Sequence, residues 1–163
     1  MIHKKTRTYI PASLDIKWET LEPFYKELLD RPINSVEELE KWLRDKSELE
    51  AALEEDFAWR YIRMTCDTTS EELLQKFQYF ATEIEPKIAP FSNELNKKLV
   101  ASEYVDQLDS EKYFVFLRAV KKALELFREE NIPVQTEIQV EQQKYQSTTG
   151  AMSVHIDDRY APT

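Results

Sequence analysis

Two histidines, one cysteine and one glycine stand against 31 acidic residues in this 163-residue chain. A zinc or di-iron centre needs ligands that converge, yet His3 and His155 lie at opposite ends of the sequence. No His-Glu-x-x-His occurs, nor a pair of Glu-x-x-His motifs, so neither centre can be assembled. Carboxylates are so dense that adjacent acids carry no information, and none follows calcium-loop spacing. Gly150 is alone. A Walker A loop, a dinucleotide fingerprint and a nucleophile elbow each require at least two glycines, so all three are excluded. Cys66 has no disulfide partner, which suits a reducing, cytoplasmic compartment, and it reads as a small core residue rather than a nucleophile. His155 reads as a solvent-facing strand residue. Phe77, Phe80, Phe91, Phe114, Phe116 and Phe127 read as core. No residue is therefore assigned a catalytic, cofactor-binding or metal-binding role.

The formal net charge of -9 would repel phosphate backbones and anionic lipid, so neither nucleic acid nor membrane is an expected partner. The longest strictly apolar run, Tyr113 to Leu117, is far short of the roughly 20 residues of a membrane span. The basic N-terminus (His3, Lys4, Lys5, Arg7) lacks the apolar stretch of a signal peptide. With 42% hydrophobic residues the chain can bury one core. Glycine poverty argues against many hairpins and for long helices with few connections.

The elements follow from periodicity and caps. Residues 1–17 form an extended arm, with Asp15 as a candidate helix start. Trp18, Leu21, Tyr25, Leu28 and Leu29 recur at helical spacing until Pro32. Ser35 and Glu38 make a capping box for a helix reaching Met64, on the order of 45 Å long at 1.5 Å per residue. Its stripe is Leu39, Trp42, Leu43, Leu49, Leu53, Phe57, Tyr61 and Met64, with one slip of phase between Leu43 and Leu49. From Ser35 to Asp56 it holds nine acids and three bases, read as a solvated outer face. Thr69 and Glu72 suggest a second capping box, and Pro86 and Pro90 predict a kink near residues 85–89. Asp109 or Ser110 caps a helix with Phe114, Leu117, Val120, Leu124 and Phe127 on its apolar face. Glu129 and Glu130 fall at the C-terminus of that helix, an unfavourable place for acids. Asn131 with Pro133 marks another helix start. Residues 134–146 fit either strand or helix, and their glutamines and glutamates favour helix. Met152, Val154 and Ile156 alternate, Asp157 and Asp158 turn, and Arg159 to Ala161 return, giving a hairpin over residues 151–161. A hairpin with nothing covering it reads as a truncated end.

Several local patterns add up to a family resemblance. They are the opening Arg-x-Tyr-Ile-Pro, then Trp18, Leu21, Pro23, Tyr25 and Leu28; the Glu-Leu-Glu-Lys-Trp-Leu run inside residues 35–53; and Thr65 to Thr69 before Phe-x-x-Phe and Pro86. Phe-Arg-Glu-Glu-Asn-Ile-Pro ending at Pro133, followed by Gly150-Ala-Met152-x-Val154, completes the set. In order and spacing these resemble the N-terminal region of oligoendopeptidase F-type peptidases, relatives of thimet oligopeptidase. The resemblance spans nearly the whole chain but includes no catalytic motif. It implies a helical region preceding a zinc-bearing body that cleaves oligopeptides in a closed channel. The expected partners are that missing catalytic body of the same polypeptide and the oligopeptide substrate; the zinc would belong to the full-length protein. The expectation is one domain over residues 1–163: an antiparallel bundle of long helices with a small C-terminal β-hairpin, non-catalytic, helping to wall the channel. The competing reading is a helical scaffold or adaptor unrelated to peptidases.

Overall fold

The computed structural model describes residues 7–162 apart from Ala12, Asp157 and Asp158. It is mainly helical. An extended arm leads into α1 (Trp18–Asp30), α2 (Val36–Cys66), α3 (Glu71–Tyr79), α4 (Glu85–Ala101), α5 (Ser110–Leu126) and α6 (Asn131–Gly150). Two short strands follow. β1 (Ser153–Ile156) pairs antiparallel with β2 (Arg159–Pro162), Ser153 opposite Pro162. Ala151 still belongs to the end of α6, its N–H donating to Ser147 and Thr148. The turn expected at Asp157 and Asp158 lies outside the described residues.

The caps decide where the helices begin. Ser35 accepts a hydrogen bond from the Glu38 N–H at 3.2 Å. The reciprocal half of that box lands one residue early: the Glu38 carboxylate accepts from the Asn34 N–H at 2.7 Å. Before α3 the cap is Ser70, which accepts from Leu73, and not Thr69. Thr69 instead turns back to Asp67, donating to its Oδ1 from both N–H and hydroxyl. Asp109 caps α5 by accepting from Glu111 and Lys112. Glu129 and Glu130 do not end α5, which closes at Leu126; they sit just ahead of α6, where acids suit the positive end of the helix dipole. Residues 134–146 are helical throughout.

The expected kink takes a specific form. α3 runs into α4 through a π-helical turn, Phe80–Ile84, in which the Glu85 N–H donates to Phe80. Pro86 has no N–H, and its ring would press on the preceding turn of a regular helix. A single wide turn just ahead of it relieves that crowding without ending the helix. Pro90 then lies inside α4.

α2 is the spine. Trp42 contacts the end of α1 and Phe57 packs on Phe77 and Phe80, so α2 runs antiparallel both to α1 and to the α3–α4 helix. α1 and α4 consequently run parallel, with Trp18 and Tyr25 against Phe91. Leu21, Tyr25, Leu28, Leu39, Trp42, Leu49, Ile84, Leu95 and Leu99 are fully buried between them. The slip of phase in α2 is no break in the stripe. Lys46 occupies the missing position, 4% exposed, with its ammonium 2.6 Å from Glu50. Its aliphatic stem continues the apolar face while the charge is paired at the rim. On α5 the inward face is Tyr113, Leu117, Val120 and Leu124. Phe114 and Phe116, expected in the core, are exposed, because the Tyr113 hydroxyl is tied to Glu40 and fixes the roll of the helix.

At the C-terminus of α1 the Lys98 ammonium donates to the carbonyls of Leu28, Leu29 and Arg31 at 2.8, 2.7 and 2.5 Å. Trp42 Nε1 donates to the same Leu28 carbonyl at 2.8 Å. Lys98→Met keeps the stem and strands those acceptors. Hydrogen bonds to charged groups are worth about 1.5–3 kcal/mol, so urea unfolding should show a loss of about 2 kcal/mol. An unchanged midpoint would show that water satisfies these carbonyls equally well.

Candidate functional site

Three groupings of polar residues merit a chemical reading. The first is an ionic chain at the arm end of the bundle. Arg31 forms a two-pronged pair with Glu27, at 2.8 and 2.7 Å, and reaches the buried Asp45 at 2.5 Å. The guanidinium also lies over the Tyr9 ring, and the Tyr9 hydroxyl reaches Glu27 at 2.7 Å. The Arg31 hydrogen bonds hold the Glu27 carboxyl below its ordinary range, against an opposing effect of burial. Burial raises the Tyr9 phenol, and the Glu27 carboxylate beside it raises it further. Burial pushes the Lys98 ammonium down, with the Arg31 charge adding to it. Every charge here has an opposite charge or a carbonyl as partner. Such a network holds geometry and leaves no free acid or base.

The second grouping is the seat of the arm. A single oxygen of Glu48 accepts the N–H groups of Thr8, Tyr9 and Ile10 at 2.8, 2.8 and 3.0 Å, and the other oxygen accepts from the Thr8 hydroxyl. Burial acts to raise the Glu48 pKa, but the backbone hydrogen bonds outweigh it and hold the carboxyl below its ordinary value of 4.5. Arg7 pairs with Glu55, and Ile10 and Ile16 insert into the core. The acidic face of α2 is therefore no mere solvated surface: it is where the arm is fastened.

The third is a cleft of about 610 Å³ between the C-terminal ends of α2 and α6. Tyr61, Met64, Thr65 and Thr68 line one side, Gln146 and Thr149 the other. Gly150 draws the two sides together; a Cβ there would touch Thr68 Cγ2 at an ordinary 3.5 Å, so the position does not demand glycine. Among the described residues no Asp, Glu, Lys, Arg or His lines the cleft. Sequence reasoning missed it because its members are 80 residues apart and belong to no motif.

Among the described residues no group of three histidine, cysteine or acidic side chains could hold a metal. Cys66 is exposed at the last residue of α2, contrary to its expected place in the core, because it falls outside the stripe that ends at Met64. His155 stands on β1 opposite Tyr160. His3 and the side chain of His155 lie outside the described residues. No described helix is long and apolar enough to cross a membrane.

This arrangement, a helical body rich in structural ion pairs, has a counterpart among known families. The model of the Peptidase M3 N-terminal domain matches residues 14–127, well over half of the chain. The chain belongs to that family. The match bears out the resemblance to thimet oligopeptidase-like peptidases and leaves an adaptor unrelated to peptidases without support. No curated protein and no solved structure matches the chain. The matched span of this M3 N-terminal domain takes in α1 to α5, while α6 and the two strands lie beyond it.

The Glu48 seat makes a pH-dependent prediction. A carboxyl depressed in the folded state stabilises above its ordinary pKa and loses that contribution as pH falls through the depressed value. Exchange protection of the Thr8, Tyr9 and Ile10 amides should hold at neutral pH and vanish below the ordinary carboxylate range, before the helices melt. Glu48→Ala should abolish it at every pH, as read by native-state hydrogen exchange.

Proposed function

We propose that this chain is the non-catalytic N-terminal portion of an oligopeptide-cleaving zinc metalloendopeptidase, and that it packs against the catalytic body and helps to wall its substrate channel. The observation that carries the reading is the family match over α1 to α5. In this reading zinc and peptide hydrolysis belong to the catalytic body, and this portion contributes shape. Exposed apolar side chains are also concentrated in the later part of the chain. Trp59 and Ile62 on α2, Phe114 and Val115 on α5, and Val134, Ile138 and Tyr145 on α6 are each 44% exposed or more. Side chains of this kind are available to a partner surface.

Two experiments test the proposal. The reading frame beyond codon 163 should encode His-Glu-x-x-His, and that downstream segment, expressed separately, should co-purify with the chain. A stop codon with no neighbouring peptidase gene would remove the proposal. The purified chain, supplied with zinc, should cleave a quenched fluorescent peptide no faster than buffer does. Turnover that a chelator abolishes would overturn the non-catalytic assignment.

A further inference from the structure

Two helix faces that the bundle leaves uncovered carry opposite chemistry at the same spacing. On α2, Glu55, Trp59 and Ile62 fall on one side of the helix. Trp59 and Ile62 are exposed. The Glu55 side chain is 60% exposed although Arg7 pairs with it. On α5, Phe114, Arg118 and Lys121 fall on one side, with Val115 next to Phe114. All four are exposed. Lys112 and Lys122 of the same helix pair with Glu40 and Glu125. Among the described residues Arg118 and Lys121 pair with no acid; Arg118 lies over the Phe114 ring, 5.8 Å from its centre. Asp109 caps α5, and Lys112 and Tyr113 tie it to Glu40 of α2. The basic strip is therefore presented on a fixed helix, which lowers the ordering cost of docking.

The strips match when the two helices run antiparallel. Ile62 to Glu55 and Phe114 to Lys121 each span seven residues, about 10 Å along a helix. Side by side, Ile62 meets Phe114 and Val115, Trp59 meets the Arg118 guanidinium, and Glu55 meets Lys121. Apolar contact, cation–π attraction and an ion pair then fall in one register. Trp and Arg are also the types that most often anchor interfaces. Both strips are exposed in the same molecule, so neither covers the other, and a second copy supplies each with its complement. We infer that copies of this chain associate with α2 of one against α5 of another. All copies share the net charge of -9, but physiological salt screens that repulsion beyond about 8 Å, while charges in contact still attract. One helix face on each side makes a small contact, so the association is weak and reversible. It goes beyond the proposed peptidase role and does not depend on it: Val134, Ile138 and Tyr145 of α6 stay open to the catalytic body.

Sedimentation equilibrium of the 163-residue chain at physiological salt tests the contact. The weight-average mass should equal the 19.4 kDa of one chain in dilute solution and rise above it at concentrations on the order of 1 mM. A mass that stays at 19.4 kDa throughout would overturn the inference and leave the two faces to a different partner. Lys121→Glu and Glu55→Lys each place like charges opposite one another between copies. Each variant alone should associate roughly fivefold more weakly or worse. In an equimolar mixture of the two variants the facing charges are opposite again, and association should return to the wild-type level. Single variants that associate like the wild type, or a mixture that does not recover, would equally overturn it. Both positions are exposed, and unchanged helical circular dichroism verifies that the variants are folded.

Discussion

The end of α1 is the point on which the bundle is assembled. Three side-chain and main-chain systems meet at one carbonyl, that of Leu28, which accepts from Trp42 of α2 and Lys98 of α4. Lys98 uses all three of its N–H donors on the last carbonyls of α1, and its charge complements the negative end of that helix. The cost is partial desolvation of an ammonium, visible in its lowered pKa. The gain is that α1, α2 and α4 are fixed in register by directional bonds, which apolar packing alone does not supply. The Arg31 side chain, one residue past α1, then carries the fixed point outward to Glu27, Asp45 and the Tyr9 ring of the arm.

This solution follows from glycine poverty. Many helices end on a left-handed glycine whose backbone satisfies the final carbonyls. The C-cap residues here are Arg31, Asp67, Ser102, Phe127 and Ala151, all at negative φ. Side chains reach the last-turn carbonyls instead. Arg128 donates to Glu125 and Phe127 at the end of α5. One compositional fact thus explains the device at both ends: where the backbone cannot turn cheaply, a long basic side chain takes over the capping.

Helix positions and their caps were legible because they depend on residues a few places apart: Ser35, Asp109 and Pro86 each announce a boundary locally. What escaped the sequence depends on distant partners. Lys46 breaks an apolar pattern on paper and continues it in space, since an aliphatic stem is invisible to a binary hydrophobic code. The acids of α2 read as solvated because nothing near them reveals that three arm amides, some 40 residues upstream, converge on Glu48. Phe114 reads as core because helical spacing cannot say which of two adjacent aromatics, Tyr113 or Phe114, is held inward. The polar tie from Tyr113 to Glu40 settles that choice.

α6 shows why part of the chain resisted a periodic reading at all. It holds two acids and one base in 20 residues, and among its side chains only Gln143 is fully buried. Val134, Ile138 and Tyr145 lie on one helical face and are all exposed. A helix this rich in threonine, valine and isoleucine has modest intrinsic stability and relies on packing. Its contacts with the π turn, with α4 and with the end of α2 use one narrow side, so no amphipathic period develops. Low charge density with scattered apolar groups is what the covered part of an interface requires, where charged residues are depleted. In the proposed assembly the catalytic body would supply the second surface, and α6 would be a wall packed on both sides. Its lack of a dominant face then has the same cause as its ambiguous sequence pattern: a helix buried from two directions needs no single apolar stripe.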